Sequence, residues 1–196
     1  MRLKLIVITI ISLSILLTIG CSKTNSSICP EMGTIKIIDN PESPYKLDKL
    51  TSSNMPNFTW DVIDCTSLQV ITAKSLSINQ LGGKPIMLVF HKVMNCPGCK
   101  QQLPFIKAAY EKWKDSGLVL LTIYRSDQIQ DVKGYVQDND INFTALADPK
   151  DQVASKLGFG PSAPITVFID KKGIIKNYNI GPLPSQEAIE NILKSL

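Results

Sequence analysis

The chain has 196 residues, of which 44% are hydrophobic, and its 21 Lys and Arg against 17 Asp and Glu give a formal net charge of +4. That length and apolar content are enough for one globular domain with a sizeable core and a tether. The charges are interspersed, with no basic run of the kind that follows a phosphate backbone, so the composition argues against nucleic-acid binding.

The N-terminal residues predict export across a membrane. Arg2 and Lys4 precede a mostly apolar stretch at 5–19, after which Gly20 and Cys21 lead into polar sequence. This order is typical of a secretory signal, and the apolar stretch is short for a helix that spans a bilayer. A cysteine that follows a small residue at the end of such a stretch resembles the bacterial lipobox.

We therefore expect residues 1–20 to be a lipoprotein-type signal peptide and Cys21 to be the lipidation site. Acylation there would anchor the protein to the cell membrane on its extracytoplasmic side. The alternative is a signal anchor that is not cleaved. Loss of residues 1–20 would leave 19 basic and 17 acidic residues, a balance of +2, which again indicates no polyanionic partner.

The next part of the chain predicts an extension followed by a hairpin. Residues 21–53 are rich in Ser, Asn and Pro and hold one strand-like run at 34–38, so we expect a tether and an N-terminal extension. Residues 57–63 and 68–72 alternate in polarity on either side of a turn-like segment, which predicts a β-hairpin.

From residue 54 to residue 196 the pattern predicts one α/β domain. Near-continuous apolar runs are typical of strands buried on both faces, and apolar residues at helical spacing follow most of them. Such strands joined by helices, with a terminal hairpin and helix, predict a central mixed β-sheet flanked by helices. The predicted strands are 86–90, 118–124, 143–147, 165–169 and 174–178, and the predicted helices are 100–113, 126–136 with Ser126 as N-cap, 151–157, and a last helix capped by Ser185.

Cys96 and Cys99 form a CxxC motif between the strand at 86–90 and the helix that follows it. This position places the first sulfur at a helix N-terminus, where unpaired N–H groups and the helix dipole stabilise a thiolate. Two intervening residues keep the second sulfur within disulfide reach. The motif predicts a redox dithiol in which Cys96 is the nucleophile and Cys99 resolves the mixed disulfide.

The other cysteines bear on two further hypotheses. A structural zinc would need two more ligands, but the remaining cysteines stand singly and His91 is the only histidine, so we expect no metal. In an oxidising compartment, Cys29 and Cys65 are left as an even remainder and predict a second disulfide. The alternative is two free thiols.

Four separated motifs give the chain from about residue 55 onward its resemblance to a known family. It resembles the thioredoxin-fold redoxins of the TlpA/ResA and AhpC/TSA-like group, which implies a thioredoxin-like fold with an N-terminal hairpin and a thiol–disulfide oxidoreductase that needs no cofactor. The matching segments are Pro56-Asn57-Phe58-Thr59, Leu81-Gly82-Gly83-Lys84-Pro85, Cys96-Pro97-Gly98-Cys99-Lys100 with Leu103-Pro104, and Ala163-Pro164 leading to Asp170 and Gly173.

The resemblance also implies how the site works. Pro164 would be a cis-proline that faces the dithiol, and the Ala163 backbone would align an extended substrate segment with Cys96. Substrates would be protein or small-molecule disulfides and thiols, and a membrane or extracytoplasmic partner would supply electrons. Lys100 is a candidate for lowering a thiol pKa, or else a solvated surface lysine. His91 is a candidate base or thiolate stabiliser, or else a core residue.

The chain departs from the ResA-like subgroup at one position near the dithiol, and two alternative functions stay open. Gln102 stands where the ResA-like subgroup has a glutamate, and an amide cannot take a proton. Peroxide reduction, an antioxidant activity, is the first alternative, yet aligning either cysteine of the motif with the P-x-x-x-T-x-x-C pattern of peroxide-reducing relatives puts no threonine and no proline where they are required. The second is a Cu(I)-binding chaperone, for which two thiolates and a histidine are suitable ligands.

Overall fold

The computed structural model describes residues 30–39, 46–64 and 70–196 of the chain. Across these residues eight strands form one mixed sheet with helices on both faces, which confirms the predicted α/β class. The strands are β1 (Met32–Asp39), β2 (Asn57–Ile63), β3 (Val70–Ser77), β4 (Ile86–His91), β5 (Val119–Arg125), β6 (Thr144–Asp148), β7 (Ile165–Ile169) and β8 (Ile175–Ile180), and the α-helices are α1 (Pro97–Trp113), α2 (Ile129–Asp138), α3 (Gln152–Lys156) and α4 (Gln186–Leu193).

The sheet has the strand order β3-β2-β1-β6-β5-β4-β7-β8. Strands β1, β6, β5 and β4 run parallel to one another, whereas β2, β3, β7 and β8 pair with antiparallel neighbours. The antiparallel β2–β3 pair confirms the expected hairpin. Strand β1 comes from the expected extension at 21–53 and lies between β2 and β6, so that extension contributes an interior strand to the sheet.

This topology gathers three segments at one edge of the sheet. Parallel strands end at the same edge, so the residues that follow β4 and β5 are neighbours there. Because β7 is antiparallel to β4, the segment that enters β7 lies at that edge as well. The CxxC motif after β4, the last residues of β5 and Pro164 before β7 are therefore brought together.

The two faces of the sheet carry separate parts of the core. On β4, Ile86, Leu88 and Phe90 face the side that α3 covers, while Met87 and Val89 face α1, α2 and α4. The alternation follows from the two-residue period of a strand. Both faces are fully covered, which explains why the six residues of β4 are all buried and read as one apolar run.

Helix boundaries confirm one predicted cap and correct another. Ser185 caps α4, since its Oγ accepts a hydrogen bond from the N–H of Ala188 at 3.2 Å. The prediction that Ser126 caps α2 is wrong: the N-cap is Gln128, and Ser126 has a φ of 62° and donates its N–H to Asp148 O at 2.9 Å. That bond fastens Ser126 to the end of β6, so the helix begins later.

Two expectations concern residues that the structure does not describe. The turn expected between the hairpin strands falls mostly in 65–69, and the signal segment falls in 1–29; both ranges lie outside the described residues. Among the residues that are described, none of the helices has the length and apolar character needed to cross a bilayer.

Candidate functional site

Cys96 and Cys99 are joined by a disulfide, with Cα atoms 5.2 Å apart. The two residues differ in exposure: Cys96 is 7% exposed, whereas Cys99 is fully buried. Of the pair, only Cys96 has surface that an incoming thiol or disulfide can approach. The other three cysteines, Cys21, Cys29 and Cys65, lie outside the described residues, so the expected acylation and second disulfide stay predictions.

Cys96 occupies the N-cap position of α1, as the sequence predicted. Pro97 follows at the first helical position, where its fixed φ suits the helix and its missing N–H costs nothing. The backbone N–H of Cys99 donates to Cys96 Sγ at 3.3 Å. A thiolate formed on Cys96 would keep this donor and gain from the positive end of the helix dipole, and both effects favour ionisation.

Pro164 lies directly against the CxxC turn. The Ala163–Pro164 bond is cis, as the resemblance implied. A Cβ placed on Gly98 would lie 3.0 Å from Pro164 Cδ, close enough that the ring of Pro164 would have to shift, and at an ordinary contact distance of 3.4 Å from Pro182 Cδ. Within the described residues the Ala163 backbone makes no hydrogen bond, which leaves its N–H and C=O free for an extended partner.

His91 is buried at the end of β4 and is neutral. Burial lowers its pKa from 6.5 to about 4, because desolvation disfavours the imidazolium. Its ring packs edge-on against Tyr124 with centroids 5.9 Å apart. In the oxidised protein His91 is thus uncharged at neutral pH, and its candidate role as a base or thiolate stabiliser stays a prediction.

Gln102 links His91 to the segment that follows β8. Its Oε1 accepts from the Leu183 N–H at 3.1 Å, so its Nε2 is the atom that faces His91 Nε2 at 3.3 Å. An amide NH₂ can only donate, so His91 Nε2 accepts and the ring proton is on Nδ1. The side chain of Gln102 is fully buried, and in this position it ties α1 to two other elements.

Lys100 lies in the first turn of α1 and is exposed. Lys92, in the loop between β4 and α1, is half-buried. Neither is among the residues for which the structure places an ion pair. The proposed influence of Lys100 on a thiol pKa stays a prediction.

The end of β5 supplies site residues that the sequence reasoning missed. Arg125 is 1% exposed, and its Nε and Nη2 bind the two carboxylate oxygens of Asp151 at 2.7 and 2.6 Å. Its Nη1 donates to the carbonyl oxygens of Gly160, at 2.9 Å, and Ser162. The signal available in the sequence was a charged residue, Arg125, at the end of the mostly apolar run that forms β5.

Asp127, two residues after Arg125, contacts the loop that leads from β4 to Cys96. Its Oδ2 accepts from the Val93 N–H at 2.9 Å, in the loop that leads to Cys96. Burial raises the pKa of Asp127 above its usual range, and the Val93 hydrogen bond opposes this. The chain just beyond β5 therefore contacts both the segment before the CxxC motif and the segment before Pro164.

The described part of the chain holds no group of three or more His, Cys, Asp or Glu side chains placed to bind a metal ion. The site as described consists of a disulfide, a helix N-terminus and an open backbone beside it. This arrangement can exchange disulfides, because that chemistry needs only an accessible sulfur, a resolving sulfur and an aligned partner.

Comparison with known proteins identifies the family. The model of the AhpC/TSA family matches residues 52–178, more than half of the chain. The chain belongs to the AhpC/TSA family. Thiol-disulfide oxidoreductase ResA from Bacillus thuringiensis is 25% identical over 126 residues, which are 64% of this chain and 71% of that protein.

A second kind of relative matches the same family domain. Peroxiredoxin Q from the chloroplast of Triticum aestivum is 29% identical over 127 residues, which are 62% of this chain and 54% of that protein. The relatives that this chain resembles therefore include one named as a thiol-disulfide oxidoreductase and one named as a peroxiredoxin.

Solved structures confirm the thioredoxin-like fold. A thioredoxin family thiol:disulfide interchange protein from Chlorobium tepidum has a TM-score of 0.60 at 20% identity, covering 74% of this chain and 95% of that one. The thioredoxin domain of a thiol-disulfide oxidoreductase from Bacteroides vulgatus has a TM-score of 0.58 at 21% identity, with coverage of 74% and 96%. Family, fold and the CxxC disulfide together confirm the predicted class, a thiol–disulfide oxidoreductase.

Proposed function

We propose that the protein is an extracytoplasmic, membrane-tethered thiol–disulfide oxidoreductase in which Cys96 attacks and Cys99 resolves. The observation that carries the assignment of roles is the difference in exposure between the two cysteine residues, 7% for Cys96 against 0% for Cys99. The N–H of Cys99, which points at Cys96 Sγ, supports a thiolate on the accessible sulfur.

In the reducing direction the exchange has two steps. The Cys96 thiolate attacks one sulfur of a substrate disulfide, forms a mixed disulfide and releases the other substrate sulfur as a thiolate. Cys99, after losing its proton, attacks Cys96 Sγ, closes the Cys96–Cys99 disulfide and releases the second substrate thiolate. Two electrons pass to the substrate, and a dithiol donor must return two electrons to the protein. In the oxidising direction both steps reverse.

Substrate docking is proposed at the backbone of Ala163, next to Pro164. An extended segment beside Ala163 could pair with its free N–H and C=O in the manner of an added strand. Pro164 touches the CxxC turn, so a cystine in that segment would lie close to Cys96. Protein and small-molecule disulfides or thiols are the proposed partners.

A cysteine trap tests the redox roles. A Cys99→Ser variant cannot resolve the mixed disulfide, so substrates are expected to accumulate on Cys96 and to be identified by mass spectrometry after non-reducing separation. The Cys96→Ser/Cys99→Ser double variant is the matched control and should capture nothing. Recovery of no adduct from cells that produce the single variant would contradict a function on protein disulfides.

The direction of electron flow follows from the reduction potential. A titration of the Cys96–Cys99 pair against glutathione buffers measures that potential directly. A value well below that of the surrounding compartment indicates a reductant, and a value above it indicates an oxidant. A pair that stays oxidised in every physiological buffer would contradict the proposed cycle.

The location is proposed from the sequence pattern at the N-terminus. Residues 1–20 are the proposed signal peptide, residues 21–53 the tether and the extension that contributes β1 to the sheet, and residues 54–196 the remainder of the catalytic domain. Acyl chains on Cys21 would hold the protein at the membrane, with about 0.8 kcal/mol from each buried methylene. A Cys21→Ala variant should move from the membrane fraction to the soluble one, and unchanged fractionation would contradict lipidation.

The second disulfide, between Cys29 and Cys65, is part of the same proposal. The described neighbours are favourable, because Met32 pairs with Ile63 in the β1–β2 register. Mass spectrometry of peptides cut under non-reducing conditions should recover the two cysteines in one linked peptide. A free thiol on Cys65 would contradict the pairing.

Peroxide reduction is a second candidate, favoured by the match to peroxiredoxin Q. In that reaction a cysteine thiolate attacks a peroxide oxygen and becomes a sulfenic acid, while the other oxygen leaves as water or an alcohol. The second cysteine then condenses with the sulfenic acid to give the disulfide and water. Rapid consumption of hydrogen peroxide by the reduced protein would support this candidate over disulfide exchange.

A further inference from the structure

One buried arginine holds the segment that leads into Pro164. Phe159, which precedes this segment, is buried against Phe90, with ring centroids 6.0 Å apart. Pro164, which ends it, is buried at the CxxC turn. The intervening residues 160–162 are exposed and bury no side chain, so their path depends on backbone contacts. The contacts described for them come from Arg125.

The guanidinium of Arg125 suits this task because each of its three nitrogens has a partner. Nε and Nη2 engage the carboxylate of Asp151 from one side, and Nη1 reaches the carbonyls of Gly160 and Ser162 from the other. A lysine offers one compact ammonium group and cannot span these acceptors in a plane.

Asp151 is presented to Arg125 by the turn that follows β6. The N–H of Asp151 donates to Asp148 O at 2.9 Å, and Asp151 has a φ of 53°. As the N-cap of α3 it would be expected to bond the helix backbone, but it makes no such side-chain bond. Its carboxylate is used on Arg125 instead, which ties the turn after β6 to the segment before Pro164.

We propose that Arg125 is a positioning residue for substrate docking, which rests on the proposed function. By holding the carbonyls on either side of Pro161, the Arg125–Asp151 pair sets where the free backbone of Ala163 stands relative to Cys96. Arg125 touches neither sulfur and supplies no proton or electron. Its contribution is to the binding of an extended polypeptide disulfide, and a small disulfide that needs no backbone pairing should not depend on it.

The test compares the kinetics of two disulfide substrates in a variant that has lost both charges of the Arg125–Asp151 pair. An Arg125→Met/Asp151→Asn double variant removes both charges together and avoids a lone buried ion. The probes are a synthetic linear peptide joined by one disulfide to a short fluorescent peptide, and a small aromatic disulfide reagent. Dithiothreitol returns electrons in the peptide assay, whereas the small reagent, which dithiothreitol would reduce directly, is mixed with pre-reduced protein freed of dithiothreitol and its single-turnover rate is measured. With the peptide, KM is expected to rise about tenfold while kcat is unchanged, and with the small reagent the rate should not change.

Two further variants complete the test. Arg125→Lys keeps a cation beside Asp151 and should also raise KM for the peptide, but less than the double variant, because one ammonium can hold only part of the contact set. Lys107→Met removes a cation that binds a backbone carbonyl elsewhere, Asn139 O at 2.8 Å, and should leave both reactions unchanged. Circular dichroism and the glutathione titration check that fold and potential are retained.

Each outcome decides the proposal. A rise in KM confined to the peptide supports it. An equal loss of rate with both substrates shows that the pair merely maintains the fold, and unchanged kinetics with both shows that it does not position the segment; either result overturns the proposal. Failure of the wild-type protein to reduce either probe would instead contradict the proposed function, which keeps the two hypotheses separable.

Discussion

Strands β4 and β5 lie side by side, and each ends in a buried side chain able to carry positive charge. His91 at the end of β4 accommodates burial by losing its proton, and its pKa falls to about 4. Arg125 at the end of β5 cannot do this, and it is surrounded by one carboxylate and two carbonyls instead. At this edge of the sheet, the end of β4 therefore carries a neutral side chain, His91, and the end of β5 carries a charged one, Arg125, which contacts the segment 160–162 before Pro164.

The comparison shows that burial alone does not define a role. A histidine at this edge was an attractive acid–base candidate from sequence, yet its accepting nitrogen is engaged by Gln102. The sequence pattern indicates no role for Arg125, yet this residue contacts three residues around the site. What distinguishes them is whether the side chain can shed its charge when water is removed.

Removing one member of the Arg125–Asp151 ion pair should have the largest effect on stability. Arg125→Met leaves the carboxylate of Asp151 without its partner and should lower the free energy of unfolding by about 3 kcal/mol, the low end for a buried pair, because the Asp151 side chain is 24% exposed and water can reach it. Urea denaturation measures this loss. Adding Asp151→Asn should recover part of it, and a double variant no more stable than the single one would contradict coupling between the two charges.

The neutral state of His91 is tested by pH. The unfolded chain binds a proton at His91 near pH 6.5 but the folded one only near pH 4, so stability due to this residue falls as the pH drops between those values. The full loss is about 3 kcal/mol. In the oxidised protein, the stability advantage of wild type over His91→Phe should shrink by that amount from pH 7 to pH 4. A constant difference would contradict a buried neutral histidine.

The hydrogen bonds by which Gln102 of α1 joins His91 to Leu183 are tested by substitution. Gln102→Met leaves the Leu183 N–H and the ring of His91 without their partner, at a cost of about 2 kcal/mol in the free energy of unfolding. Gln101→Met is a matched control, because Gln101 is the exposed neighbour on the same helix. Equal effects of the two substitutions would contradict the bridging role of Gln102.

The smallest effect on stability is expected at the contact between Gly98 of the CxxC motif and Pro164. Gly98→Ala adds a Cβ 3.0 Å from the rigid ring of Pro164, and the required shift should cost about 1 kcal/mol. Gly134→Ala, inside α2 with nothing within 4 Å of its Cβ, should stabilise the protein by about 0.5–1 kcal/mol. Thermal unfolding of both variants shows the opposite signs, and stabilisation by Gly98→Ala would contradict close packing against Pro164.

Most of the fold was predictable because local pattern and tertiary role agree. The apolar runs of β4 and β7 mark strands covered on both faces, and the prediction for β7 matches the structure residue for residue. Helix α2 was placed too early because a serine before an apolar period is a usual cap signal. In the structure the backbone of Ser126 is bonded to Asp148, across a strand pair that no local pattern reveals.

For this protein the sequence by itself determined the redox chemistry, because a strand, a CxxC motif and a helix in that order place a sulfur at a helix N-terminus whatever surrounds it. Only the tertiary structure decided which polar residues support that chemistry. Arg125 is 26 residues from Asp151 and 35 from Gly160 along the chain, and it meets them because β5, β6 and β7 end or begin at one sheet edge. The charge state of His91 was likewise decided by its complete burial there, since desolvation depends on the neighbours that folding brings.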